Sequence, residues 1–320
     1  MQKKQLNKTR EQLIQGYIDC LTQDTLPCWE QGWISRERPK NATTDKRYRG
    51  VNSALLSLVS QMKGYSDPRW ATFKQASDHG WKIKKGEHGT PIEYWYLWDQ
   101  KNKKNIEPAD AQKEIAKDPS RKQDFFYRSR TYTIFNCQQM ENVPEYSQPV
   151  FAWDKGTCTN FTLDVVGALG VEYIEDGKDG CYYRPSADQI HMPSRDLFFD
   201  EYAFCSSLLH ECSHASMDNR RLNVFDHSDH SEEAYAKEEL VAEMSASFVC
   251  GELGIGMTQE HIENHKSYIK SWIKMLQDDP QVLFDAIQKA ETVSEYIGKI
   301  SELDKVKETL DLSMDREMVE

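Results

Sequence analysis

His210-Glu211-Cys212-Ser213-His214 constrains this chain more than any other stretch. An HExxH pattern works on a helix, where positions i and i+4 share a face: both imidazoles then reach one ion, and the glutamate beside the first His points to an open coordination position. The pattern predicts a helix over 200–217, with Zn2+ as the expected cofactor. A catalytic zinc site takes three protein ligands and keeps one position for water. The third ligand is expected from Lys237-Glu238-Glu239-Leu240-Val241-Ala242-Glu243, inside a second helix over 232–253. Two antiparallel helices joined by a loop bring that segment beside the motif. Glu239 and Glu243 are one turn apart, so one can bind metal while the other accepts a hydrogen bond from a ligand imidazole. Glu211 is the expected catalytic residue, taking a proton from water as the water attacks a polarised carbonyl, which is metal-assisted amide hydrolysis.

Other histidines carry weaker signals. His261 and His265 are four apart without a following glutamate; His227 and His230 lie in an acidic loop; His191 sits near a hairpin end. None is assigned a role, and Cys212 lies off the ligand face. The eight cysteines are scattered without CxxC pairs, which favours reduced thiols over a disulfide framework. A mean hydropathy of -0.75 and 29% charged residues, with no apolar run of bilayer-spanning length, argue for a soluble protein. The opening MQKKQLNKTREQ has no apolar signal-peptide core, so the cytoplasm is expected.

At 320 residues, two domains are expected. The spacing predicts an amphipathic helix over about 5–21, then a helix capped by Asn52 and stopped at Gly64, then a short helix opening at Asp67-Pro68 and ending at Gly80. Strands follow over 81–98, and a further strand over 125–135 alternates as a sheet with one wet face does. Residues 99–124 are charge-dense and read as a solvent-exposed, partly helical insertion. Pro144 to Pro149 reads as the joint between domains. Beyond it come a helix around 161–169, a hairpin-like stretch ending at Pro193, and a mostly helical remainder, including segments around 259–277 and 280–310. The expected class is α+β: a small α+β domain over 1–145, then a mostly helical domain with a short sheet over 146–320.

The net charge of -12 hides an asymmetry, since residues 29–90 carry twelve Lys or Arg against six acids. Interleaved with or following these cations are Trp29, Trp33, Tyr48, Tyr65, Trp70, Phe73, Trp81, Tyr94, Trp95, Tyr96 and Trp98. Single-stranded nucleic acid suits such a surface, because aromatic faces stack on unpaired bases while cations track phosphates. The candidate contacts are Lys46, Arg47, Tyr48, Arg49, Trp70, Lys82, Lys84 and Lys85. The bland alternative is that the tryptophans are core and the cations ordinary surface.

Several motifs in order give a more specific signal. In the first half they are Pro27-Cys28-Trp29, Arg47-Tyr48-Arg49-Gly50-Val51-Asn52, Trp70-Ala71-Thr72-Phe73, Lys84-Lys85-Gly86-Glu87 and Tyr132-Thr133-Ile134-Phe135-Asn136-Cys137-Gln138-Gln139. In the second half they are Asp188-Gln189-Ile190-His191-Met192-Pro193, the HExxH helix, Arg221-Leu222-Asn223 and Glu238-Glu239-Leu240-Val241-Ala242-Glu243. Together they resemble the ArdC-like antirestriction family of conjugative plasmids and related mobile elements; plasmid primases of the TraC type are similar in the first half. The resemblance implies an N-terminal domain that binds single-stranded DNA, a C-terminal domain of zincin-like metallopeptidase fold, and protection of incoming DNA from host restriction. The glutamate pair is similar to the ExxxD or ExxxE arrangement of Glu-liganded zincins, which implies Glu239 as ligand and Glu243 as hydrogen-bond partner, the reverse assignment staying open. Two further readings stand beside this one. One is a zinc protease acting on DNA-bound proteins or host restriction enzyme subunits; the other is a non-catalytic DNA-binding protein that uses the zincin fold as an interaction module.

Overall fold

Apolar stripes on the helices decide what they pack against, and that division does not follow chain order. The computed structural model describes residues 8–22, 38–146, 154–175, 180–225, 231–253 and 271–308. In chain order the elements are α1 (Lys8–Thr22), β1 (Lys40–Asn41), α2 (Gly50–Lys63), β2 (Arg69–Thr72), α3 (Phe73–Asp78), β3 (Lys82–Ile83), β4 (Thr90–Asp99), β5 (Lys104–Asn105), α4 (Pro108–Lys117), β6 (Phe125–Asn136), β7 (Met140–Glu141), α5 (Lys155–Leu169), β8 (Glu172–Glu175), β9 (Tyr182–Arg184), β10 (Gln189–Met192), α6 (Glu201–Met217), α7 (Glu232–Leu253), α8 (271–278) and α9 (Gln281–Ile300). The mixture of helices and sheets is the expected α+β class.

Two compact units result, and neither is contiguous. A helical unit takes residues up to 39, 47–66 and 146 onward; a sheet unit takes 40–46 and 67–145. One division lies near 145, and α1 and α2 pack with the later helices rather than with the sheet that follows them. Their apolar residues Leu13, Ile14, Tyr17, Leu55 and Leu58 enter the same core as α5 to α9. A 14-residue amphipathic helix has little stability of its own and goes where its stripe is covered. The stripe of α9, with Leu283, Ile287, Ala290, Val293 and Ile297, supplies that cover. Gly16 allows the close approach of α1 to α2, since a Cβ there would sit 2.5 Å from Leu58 Cδ2.

Helix α6 is buried on nearly every side, with Leu208, Leu209, Cys212, Ala215 and Met217 all inaccessible. Such all-round burial marks a helix at the centre of a core; α5, α7 and α9 surround it, and the sheet strands β9 and β10 lie against it. Asp200 caps it, its carboxylate accepting the Ala203 backbone N–H at 2.9 Å. The small sheet has the order β8-β10-β9, with β10 parallel to β8 and antiparallel to β9, so the 182–193 hairpin is joined by a third strand. Arg221 fixes this sheet to the end of α6. Its guanidinium donates to both Asp188 oxygens at 2.9 Å and to the Ala215 and Leu169 carbonyls, and Tyr183 Oη donates to Asp188 at 2.7 Å.

The sheet unit has the order β1-β2-β6-β4-β5. Asp67-Pro68 does not open a helix as the spacing suggests. The chain instead enters strand β2, with the Asp67 carboxylate held by the Arg69 guanidinium, and the helix starts later at a Thr72/Gln75 capping box. Likewise α2 begins at Gly50, which places Asn52 inside it rather than at its cap. The charged insertion forms β5, α4 and a 3-10 turn over Pro119–Asp124. It is anchored by one buried contact, Arg121 donating to the buried Asp99 carboxylate at 2.7 Å. Among the described residues, no helix is long and apolar enough to cross a membrane.

Candidate metal centre

Helices α6 and α7 pack side by side, and their facing polar residues form a closed set. His210 Nε2 and His214 Nε2 are 3.1 Å apart. The Glu239 carboxylate faces both, with one oxygen 3.5 Å from His210 Nε2 and the other 3.4 Å from His214 Nε2. Among the described residues, these three form the one cluster of His, Cys, Asp or Glu able to hold an ion: their donor atoms all lie within 4.8 Å of one another, and all three are buried.

The far side of each ring is equally defined. His210 Nδ1–H donates to Glu243 Oε2 at 3.0 Å, and His214 Nδ1–H donates to Glu238 Oε1 at 3.0 Å. With both Nδ1 atoms carrying hydrogen, both Nε2 lone pairs point into the same space. Two lone pairs that close call for positive charge between them, which fits a divalent cation with two imidazoles and a carboxylate as donors. The same demand appears as proton affinity. Burial opposes charge on His210, but Glu239 and Glu243 outweigh it and push its pKa up to about 10. His214 behaves in the same way, with Glu238 and Glu239 overcoming burial to raise its pKa well above the ordinary value. Glu239 shifts oppositely: although burial works to raise it, the two histidines hold it far below the carboxylate range.

Glu211 is buried beside this set. Burial raises its carboxyl above the ordinary value, while His210, His214 and the Tyr183 backbone N–H on β9 hold it back. Its surroundings thus favour proton uptake more than water would. Glu243 is wholly buried against His210 Nδ1, whereas Glu239 faces the Nε2 atoms. Glu238, unassigned on spacing alone, turns out to face His214. The run Glu238-Glu239 places two carboxylates about 100° apart around the helix, enough for one to meet each side of an imidazole. His191 is buried and stacked on Tyr182 with ring centres 4.5 Å apart. His227, His230, His261, His265, Trp29, Trp33 and the Pro27-Cys28-Trp29 motif lie outside the described residues.

The sequence-derived nucleic-acid contacts are divided between the two units, with Arg47, Tyr48 and Arg49 in the helical unit and Lys46, Trp70, Lys82, Lys84 and Lys85 in the sheet unit. Trp70 has no exposed area, so it packs in the core and offers no stacking face. Arg47 donates to Glu252 at 2.8 Å, and Arg49 pairs with Glu295 at 3.4 Å; both are spent on acids of the helical unit. Lys84 Nζ donates to the Gln138 carbonyl at 2.8 Å, while Lys46, Lys82 and Lys85 are exposed and Tyr48 is partly buried.

Comparison with known proteins places the chain. Residues 7–135 match the N-terminal domain of anti-restriction factor ArdC, and residues 164–289 match the zincin-like metallopeptidase family. The uncharacterized protein y4eC of Sinorhizobium fredii is 30% identical over 271 residues, covering 84% of this chain and 83% of that protein. The chain belongs to the ArdC-like antirestriction family. A DNA primase TraC of Escherichia coli is 32% identical over 292 residues, 90% of this chain but 27% of the primase, so the chain spans about a quarter of that relative's length. The crystal structure of the antirestriction protein ArdC from plasmid R388, metal-free, superposes with a TM-score of 0.72 at 24% identity, covering 92% of this chain and 98% of that one. A Mn(II)-bound structure of the same protein gives 0.71.

Proposed function

We propose that this chain is an antirestriction protein of a mobile element: it binds single-stranded DNA, holds a divalent metal, Zn2+, on His210, His214 and Glu239, and protects incoming DNA from host restriction. The observation that carries the metal reading is the pair of Nε2 atoms 3.1 Å apart with both Nδ1–H groups committed to carboxylates. Family membership carries the DNA reading.

In this reading Glu243 and Glu238 are positioning residues, each holding one ring in the tautomer that frees Nε2 for metal. A divalent ion held there supplies Lewis acidity toward a carbonyl and water. Glu211 would take a proton from the attacking water at a carboxylate oxygen and return it to the leaving amine. The burial of the cluster keeps competing water away and strengthens each of these interactions.

A second reading, in which the site is a holding or interaction module without turnover, is favoured by the closure of the site: every titratable member already has a partner inside the protein. Replacing Glu211 with Gln separates the two readings. Loss of restriction protection with metal and strand binding intact supports catalysis; full protection supports the module. For the DNA half, affinity for a single-stranded oligonucleotide is expected to fall steeply with salt. Indifference to single strands at low salt would sink it.

A further inference from the structure

Apart from the sequence-derived cations, the sheet unit carries a second face that combines aromatic and cationic side chains. Strands β4 and β6 pair over ten consecutive positions, from Thr90↔Ile134 to Asp99↔Phe125. Strand β2 touches β6 only at Ile134, Phe135 and Asn136, and β5 touches β4 only at Trp98 and Asp99. Between those ends the two strands run as a ribbon paired only with each other. Side chains alternate, so the directly opposed pairs Tyr94/Arg130, Tyr96/Arg128 and Trp98/Phe126 share one face.

That face is unusual for a surface in water. Tyr94 and Phe126 are 51% and 38% exposed, and both arginines are exposed. The Arg128 guanidinium lies 4.7 Å from the Trp98 ring centre and 5.0 Å from that of Phe126, and Arg130 lies 5.3 Å from that of Tyr96. Tyr94 stacks on Tyr96 at 6.0 Å. Among the described residues, neither arginine has a carboxylate within ion-pair distance, and no acid stands on this face between Tyr94 and Trp98. Contacts with ring faces order the Arg128 guanidinium without consuming its N–H donors, while Arg130 also hydrogen-bonds to the Tyr96 and Tyr132 hydroxyls and keeps its remaining N–H groups for an anion. Exposed π-faces alternating with ordered, acid-free cations match an unpaired nucleotide chain, in which bases and phosphates alternate.

We propose that this face of the β4–β6 ribbon is the single-strand DNA site, with Arg128 and Arg130 on phosphates and the exposed Tyr94 ring beneath a base. The assignment rests on the single-strand reading above and moves its contacts away from Lys46–Arg49 and Lys82–Lys85. From Tyr94 to Trp98 the face covers about 14 Å, a short footprint for such platforms.

The test uses the full chain and a fluorescent oligo-dT, with the matched duplex as a second arm. Arg128→Ala with Arg130→Ala is expected to weaken single-strand binding at least tenfold and to lower the log affinity against log salt slope by about 1.4. Arg128→Lys with Arg130→Lys should restore most of the slope, and Tyr94→Ala should cost roughly 5- to 100-fold in affinity. Lys82→Ala with Lys85→Ala should have the smaller effect. Photo-crosslinking the wild type to a 5-iododeoxyuridine oligonucleotide gives a readout that no variant's folding can disturb, and crosslinks are expected within 94–98 and 126–132. If the wild type binds strands but crosslinks map elsewhere, or the arginine variant binds normally, the ribbon assignment is overturned and the single-strand reading stands. Equal affinity for duplex also overturns the ribbon. A wild type that binds no single strand overturns both.

Discussion

The α6–α7 site and the β4–β6 ribbon treat charge in opposite ways. Between the helices, His210, His214, Glu238, Glu239 and Glu243 are packed so that nearly every donor has an acceptor a few ångströms away. On the ribbon, Arg128 and Arg130 stand in solvent on aromatic rings with no carboxylate beside them among the described residues. Buried polar groups without partners are costly, and here each has one; in the proposed reading a cation would take the place between the two Nε2 atoms. Exposed cations carry no such penalty, and ordering them without neutralising them prepares a surface for a large anion. In the proposed reading, the first arrangement takes a small ligand and the second a polymer.

The largest effect that would break this contrast lies at Glu211. If the helical site turns over peptides, Glu211→Gln should lower cleavage of a restriction subunit or DNA-bound protein by about 10²- to 10⁴-fold while leaving metal content unchanged. A Gln variant that cleaves as wild type removes Glu211 from the chemistry. Next in size is Arg221→Ala, which strands Asp188 and loosens β9 against α6. Chemical denaturation should show a loss of about 3 kcal/mol, and less than half of that would mean that the strand is held by other contacts.

Smaller effects sharpen the comparison. Glu238→Gln and Glu243→Gln each leave the three donors in place but disturb one ring, so competition with a chelator should read an affinity loss of about 10- to 100-fold. No change would make these carboxylates bystanders. Smallest is a pH effect at Glu252, which is partly buried and surrounded by Lys307, Arg47 and Arg38. Burial raises its pKa, but the three cations win and hold it below the ordinary value. A depressed carboxylate stabilises the fold above its unfolded pKa and loses that contribution as pH falls through the folded one. Thermal melts should therefore show wild type losing stability more steeply than Glu252→Gln below about pH 4.5. Parallel curves would refute the pairing.

Much of the fold was legible because its signals are local. The i, i+4 spacing of His210 and His214, the apolar spacing of α6, α7 and α9, and the alternation along β6 each follow from the period of the element that carries them. What spacing does not encode is which apolar surface a helix meets. α1 and α2 are adjacent in sequence to the sheet unit, yet Leu13 and Leu58 enter the helical core because the stripe of α9 needs cover. Short-range competition misled the reading at Asp67-Pro68, where the Arg69 guanidinium took the carboxylate that a helix cap would have used. At the site, spacing brought His210, His214 and Glu239 onto facing helices but left Glu238 unread, since its role depends on which way the His214 ring turns. For nucleic acid, counting cations favoured Lys46–Arg49, whose arginines proved to be paired with Glu252 and Glu295. The ribbon proposed above rests instead on the alternation Phe126-x-Arg128-x-Arg130-x-Tyr132, which puts aromatic and cation on one strand face.

The central claim is that two chemistries reside on two separate sets of residues, and one paired measurement addresses it: metal content by mass spectrometry and oligo-dT affinity on the His210→Ala, His214→Ala variant. The account predicts that bound zinc falls from one per chain to background while strand affinity stays within about twofold of wild type, as expected for sites sharing no residues. Retained zinc, or strand binding lost together with the metal from a folded variant, would contradict it.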